Sequence, residues 1–73
     1  MKTKSYFEDI EMLADGSIAI EVYIDWAYGQ KNHDLVDKLM DVLDCVNSTL
    51  SEMHGVSVDE IVQDCIDVMT ARR

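Results

Sequence analysis

A transition-metal site in this chain would be expected to use its histidines or cysteines, whose nitrogen and sulfur atoms are common ligands of such metals. His33 and His54 bracket one predicted helix and lie roughly 31 Å apart along it at 1.5 Å per residue, so one chain cannot bring them together. Cys45 and Cys65 do not occur with them at the short spacings typical of zinc ligands. The two cysteines also fall on different sides of their predicted helices, so no disulfide is expected. The sequence therefore predicts neither a metal site nor a metal cofactor.

The segment Asp15-Gly16-Ser17-Ile18 is similar to the middle of a calcium-binding EF-hand loop. The similarity does not extend further, because Leu13 stands where an oxygen ligand is required and Glu21 comes one position early. We therefore expect no calcium site.

Residues for acid–base or nucleophilic catalysis do not form a recognisable set. Ser57 is expected to cap a helix, which occupies its hydroxyl group. The carboxylates occur at surface spacings, with no sign of the apolar pocket that raises the pKa of a catalytic acid. We predict a protein with no catalytic residue, no cofactor and no enzymatic activity.

The carboxylates between residues 32 and 53 have the most regular spacing in the chain. At 100° per residue, aliphatic side chains fall on one side of a predicted helix and acidic ones on the other. Lys38 is the only lysine or arginine in this range, and most of the acids are Asp, whose carboxylate stays close to the backbone. This acidic stripe is either a solvated face that keeps the protein soluble or a contact surface for a basic partner. It consists of Asp34, Asp37, Asp41, Asp44 and Glu52.

The charge balance restricts the class of partner. The 73 residues carry a formal net charge of −9, and all 15 acidic residues lie between Ser5 and Ala71, where Lys31 and Lys38 are the only cations besides histidine. Phosphate binding requires cationic groups, so direct contact with nucleic acid or an anionic membrane is not expected. Without a leader sequence or a long apolar run, the sequence predicts a cytoplasmic protein with reduced thiols that contacts a basic surface of another protein.

Two strands are predicted in the first part of the chain. Tyr6 to Met12 is a short strand candidate, Ala14 to Ser17 is a turn signal, and Ile18 to Tyr28 alternates strictly between apolar and other residues. A three-residue loop places the apolar sets of both strands on one face of a hairpin at about 6–28. The opposite face is the second candidate contact surface, with Tyr23 as a possible aromatic anchor. It consists of Glu11, Glu21, Tyr23 and Asp25.

Two helices are predicted in the rest of the chain, at about 33–53 and about 57–71. Asn32 or Asp34 would cap the first, Gly55 would end it, and Ser57 with Glu60 would form a capping box for the second. The predicted fold class is α+β, with the order ββαα: one domain, 1–73, in which two antiparallel helices pack on the apolar face of the hairpin. A lone two-stranded sheet is weak, and pairing of two hairpins in a homodimer is one way to support it.

The order of a strand, a helix, Gly-Val-Ser-Val-Asp-Glu-Ile-Val (residues 55–62) and a second helix resembles the ribbon-helix-helix family of dimeric repressors over about 45 residues. That family reads bases with the outward side chains of its strand. Here these would be Glu21, Tyr23 and Asp25, and phosphates would repel the two acids, so the resemblance implies a dimer of related shape without DNA binding.

In size, charge and absence of catalytic residues, the chain also resembles the small acidic inhibitors encoded by bacteriophages, including DNA mimics and anti-CRISPR proteins. This resemblance implies a non-enzymatic protein that blocks a basic, nucleic-acid-binding surface of its partner. The alternative is a small dimeric regulatory or adaptor protein, antitoxin-like, that acts through apolar contacts. These would involve Phe7, Leu13, Tyr23 and Met40.

Overall fold

The computed structural model describes residues 2–72, which fold into three α-helices joined by short turns. Helix α1 spans Lys4–Gly29, α2 spans His33–His54 and α3 spans Val58–Ala71. No strand occurs within residues 2–72. The predicted α+β fold with the order ββαα is therefore wrong, because the stretch expected to form the hairpin is the continuous helix α1.

Helix α1 forms because its apolar residues recur at the spacing of one helix face, as well as at the alternating spacing of a strand. Thr3 caps the helix, its side chain accepting a hydrogen bond from the backbone N–H of Tyr6 at 3.2 Å. The side chains that follow at intervals of one, three or four residues are buried and form a core-facing stripe. They are Tyr6, Ile10, Leu13, Ala14 and Ser17.

The predicted turn at Asp15-Gly16 lies inside α1. A glycine in a helix costs about 1 kcal/mol relative to alanine, which is small beside the burial of a core side chain. Leu13 and Ala14 immediately before it are buried, as is Ser17 immediately after it. Packing on both sides of Gly16 therefore outweighs the local preference for a turn.

Helices α2 and α3 lie within one residue of the ranges expected for them. The side chain of Asn32 caps α2 by accepting a hydrogen bond from the N–H of Leu35 at 3.2 Å, and Gly55 ends α2 in the left-handed conformation with φ 63°. Ser57 caps α3 by accepting from the N–H of Glu60 at 3.3 Å. In the turn between α1 and α2, Lys31 lies in the left-handed region with φ 57°.

The core lies where the three helices meet, with Tyr6, Ile10 and Ile61 fully enclosed. The 14 residues of α3 extend about 21 Å at 1.5 Å per residue, whereas the 26 residues of α1 extend about 39 Å. The polar contacts of α1 with α3 and its C-cap involve Tyr6, Asp15 and Ser17, which lie between the start of α1 and its middle. The Cα atoms extend over 40 × 27 × 15 Å, so the molecule is flat and has a small interior. Within residues 2–72, no helix combines the length and apolar character needed to cross a membrane.

Candidate partner-binding surface

The acidic stripe predicted from the sequence lies on the outer side of α2. Val36 and Leu50 on the opposite side of the helix are buried, and this fixes the rotation of α2 about its axis. At 100° per residue the five acids fall within an arc of about 80° and extend over about 27 Å of helix. The structure thus brings together and exposes Asp34, Asp37, Asp41, Asp44 and Glu52.

The acids of the stripe form no ion pair with any other residue in the range 2–72. Lys38, the lysine within α2, forms none in this range either. Lys2, Lys4, Arg72 and His54 contact acids of α1 and α3 instead, so no side chain of residues 2–72 compensates the charge of the stripe. These pairs are Lys2 with Asp64 (3.0 Å) and Glu60 (3.3 Å), Lys4 with Glu8 (3.9 Å), His54 with Asp9 (2.7 Å), and Arg72 with Asp15.

The second predicted surface is not the outer face of a hairpin, because its residues lie on helix α1. At 100° per residue Glu11, Glu21 and Asp25 still fall within an arc of about 80°, so these three acids share one side of α1 without Tyr23. Glu11 and Glu21 are separated by about 15 Å along α1. All four residues of this set are exposed, but Tyr23 points about 160° away from both Glu21 and Asp25 at 100° per residue. An anchor flanked by these carboxylates is therefore ruled out by the helical geometry.

The residues named for apolar contacts are divided between surface and core. Phe7, Tyr23 and Met40 are half or more exposed, as that alternative requires. Leu13 is 6% exposed and belongs to the core, so the expectation that it is available to a partner is wrong. Its position between Ile10 and Ala14 in the helical repeat explains its burial.

An apolar patch on the second half of α1 was not predicted as a surface. Val22, Tyr23 and Trp26 line a shallow hollow on it, with exposures of 64%, 60% and 57%, and Ile18 lies one helical turn before Val22. We call these four residues the α1 patch. The predicted strand over 18–28 would place Ile18, Val22 and Trp26 on its buried face. The i, i+4 spacing of these three residues instead predicts one face of a helix.

A groove of about 210 Å³ separates α1 from α2. Gly16 contributes to it by having no side chain, since a Cβ there would meet open space. Its walls are almost entirely apolar, with Asp9 the one charged lining residue. The other lining residues are Met12, Leu13, Ile20, Leu43, Val46 and Leu50.

The two cysteines differ in burial, and His33 packs against an aromatic ring. Cys65 is buried, with its Sγ atom 3.9 Å from Oγ of Ser17, and burial raises the pKa of its thiol. Cys45 is exposed on α2. The ring of His33 packs edge-on against Tyr28 with centroids 5.6 Å apart. Residues 2–72 contain no group of three or more His, Cys, Asp or Glu side chains placed to hold a metal ion.

A polar network joins the start of α1 to α3. The hydroxyl group of Tyr6 donates to a carboxylate oxygen of Asp64 at 2.5 Å, and Lys2 approaches the same carboxylate. The hydrogen bond from Tyr6 and then that from Lys2 lower the pKa of Asp64. Burial, followed by this hydrogen bond, raises the pKa of Tyr6. The network therefore joins the N-terminal segment and the first turn of α1 to α3.

Comparison of this chain with protein-family models, with curated proteins and with solved structures finds no match. Its function is therefore inferred from its own surfaces.

Proposed function

We propose that this protein is a non-enzymatic binding protein that blocks a basic surface of another protein with the acidic stripe of α2. The observation that carries the proposal is the charge arrangement. Asp34, Asp37, Asp41, Asp44 and Glu52 are exposed together, and within residues 2–72 the ion pairs lie elsewhere.

Ion pairs with lysines on the same helix would stabilise a solvated helix, since Glu–Lys pairs four residues apart each contribute about 0.2–0.5 kcal/mol. Asp34 and Lys38 have this spacing, but the ion pairs of residues 2–72 do not include one between them. Ion pairs within residues 2–72 therefore do not stabilise the carboxylates of the stripe. The folded helix already holds these carboxylates in a regular array that a basic partner could contact.

The partner surface that fits best is one that also binds nucleic acid, because such surfaces combine lysine and arginine over a comparable length. The protein would act as small acidic phage inhibitors do, including DNA mimics and anti-CRISPR proteins, within the host cytoplasm. Electrostatic attraction accelerates the encounter and steric occlusion then blocks the partner.

The proposal is tested with two triple variants that change the net charge equally. Asp37→Asn, Asp41→Asn and Asp44→Asn neutralise the stripe; Glu11→Gln, Glu21→Gln and Asp25→Asn neutralise three exposed acids of α1. Each variant and the wild type are immobilised, and basic proteins retained from an extract of the host cell are quantified at low and high salt.

We expect the wild type and the α1 variant to retain the same basic protein and the α2 variant to lose it. High salt or added duplex DNA should release that protein. If both variants retain it equally while far-ultraviolet circular dichroism shows intact helices, the stripe is a solvated face and the proposal is wrong.

A second candidate function follows from the α1 patch: an adaptor that binds its partner through apolar contacts. Trp26 and Tyr23 are residue types that dominate the binding energy of many interfaces. Binding of this kind would persist at high salt and would be lost on changing Trp26 to Ala. The ribbon-helix-helix form of this candidate is excluded, because no strand occurs in residues 2–72.

A further inference from the structure

We infer that the α1 patch is the contact between two copies of this chain, which form a symmetric dimer through antiparallel α1 helices. This inference does not rest on the proposed function. The α1 patch and the acidic stripe belong to different helices, and each is turned away from the core those helices share. Dimerisation through α1 therefore leaves the stripe of each copy accessible.

The folded chain exposes more surface than expected for a monomeric protein of its mass, which supports burial of part of that surface in a complex. A monomeric protein of 8.3 kDa is expected to expose about 4,600 Å². This chain exposes 5146 Å², an excess of roughly 500 Å² by that scaling. A standard interface removes about 800 Å² from each subunit, so the excess is comparable to what one dimer contact would cover.

The patch has the residue types of an interface centre. Between Asp15 and Asp25 the only charged residue of α1 is Glu21, and it lines the hollow next to α3 on another side of the helix. Asp15 precedes the patch on the same side, but its carboxylate contacts Arg72. Asp25 is also exposed and outside the ion pairs of residues 2–72, but it lies at the rim of the patch, about 60° around the helix from Val22. Two copies of a protein with net charge −9 can therefore bring the centres of their patches together without placing unpaired carboxylates between them.

The patch is also self-complementary, which a symmetric dimer requires. With the two-fold axis at Val22, each residue meets the one equally far on the other side of position 22. Ile18 of one copy then lies beside Trp26 of the other, and Asp15 lies beside Gly29. Ala19, one turn from Val22 on the same side, leaves room for the large indole ring of the second copy.

Trp26 is the only tryptophan in the chain and thus reports directly on this contact. We would measure its emission spectrum, together with the molar mass by sedimentation velocity, from about 1 µM to about 1 mM protein. A reducing agent keeps Cys45, which is exposed, from linking copies through a disulfide.

We expect the mass to rise from 8.3 kDa to twice that value and the emission to shift to shorter wavelength over the same concentration range. Salt should strengthen the association, because it screens the repulsion between two acidic chains. This is opposite to its expected effect on binding of a basic partner by the stripe, so the two proposals can fail separately.

Two variants locate the contact. Val22→Glu places a charge at the centre of the patch, and Met53→Glu places one on α2 at a residue with the same 64% exposure. Val22→Glu should remain monomeric and helical, whereas Met53→Glu should dimerise like the wild type. Val22→Ala, which adds no charge, should weaken the dimer without abolishing it.

A wild type that stays monomeric over the whole range, with water-exposed tryptophan emission, would overturn the inference and leave the patch to a different protein. Dimerisation that Met53→Glu disrupts as much as Val22→Glu would overturn it as well, because the contact would then lie elsewhere.

Discussion

The hydroxyl group of Tyr6 and the carboxylate of Asp64 form a 2.5 Å hydrogen bond between residues that are 58 positions apart. It joins the first turn of α1 to the middle of α3. Lys2 lies 3.0 Å from the same carboxylate, so one acidic side chain holds both the N-terminal segment and the start of the longest helix.

The stability of the protein should depend on the ionisation of Asp64. Its pKa is lowered in the folded state by Tyr6 and then by Lys2, from an ordinary value of 3.8. The stabilisation is therefore fully present above the unfolded-state pKa, and it is lost as the pH falls through the lower pKa of the folded state. Urea unfolding measured from pH 7 downward should show this loss beginning near pH 4.

Asp64→Asn should lower the free energy of unfolding at pH 7 and reduce its decrease in acid. Asp41→Asn, which changes an exposed acid outside the ion pairs of residues 2–72, serves as the matched variant and should leave the acid-dependent decrease nearly unchanged. Equal pH profiles for Asp64→Asn and the wild type would show that this carboxylate does not stabilise the fold.

The core should depend strongly on Ile61, which is fully buried where the three helices meet. Ile61→Ala removes a buried side chain and leaves a cavity, with an expected cost of about 2–5 kcal/mol in the free energy of unfolding. Ile66→Ala makes the same change on the same helix at a residue that is 48% exposed, and should cost less than half as much. Chemical denaturation of both variants checks this; similar losses would contradict the observed packing of α3.

The turn between α1 and α2 should be improved by a glycine at position 31. Lys31 has φ 57°, a conformation unfavourable for a residue with a Cβ. Lys31→Gly and Lys31→Ala remove the same charge, and the glycine variant should be more stable than the alanine variant by about 1 kcal/mol. Thermal unfolding at matched pH and ionic strength would measure this difference, and equal stability would contradict the left-handed geometry.

The second half of the chain was predictable because its signals agree with one another. In α2 the helical spacing of Leu35, Leu39, Leu43 and Leu50, the cap at Asn32 and the stop at Gly55 all indicate the same helix. Cap and periodicity agree again in α3, where Ser57 begins the helix. The exposure of the acidic stripe followed from the same helical pattern.

In α1 the signals conflict. Ile20 and Ile24 fit both an alternating strand and the core side of a helix, while Asp15-Gly16 favours a turn. Local preference selects the hairpin, but contacts of Tyr6 and Ile10 with a distant helix select α1. The contact of Tyr6 with Asp64 joins residues 58 positions apart, and no local pattern records it. The same conflict hid the α1 patch, because a strand interpretation assigns its apolar residues to the interior.

The short length of α3 has a consequence for the local stability of α1. Opening the segment near Ile10 must break contacts with both other helices, whereas opening the segment near Tyr23 breaks fewer. Backbone amides around Trp26 can therefore exchange their hydrogens through small local fluctuations, while those around Ile10 exchange through global unfolding. One uninterrupted helix thus contains a gradient of protection, and its least protected segment carries the aromatic side chains with the most area left to bury.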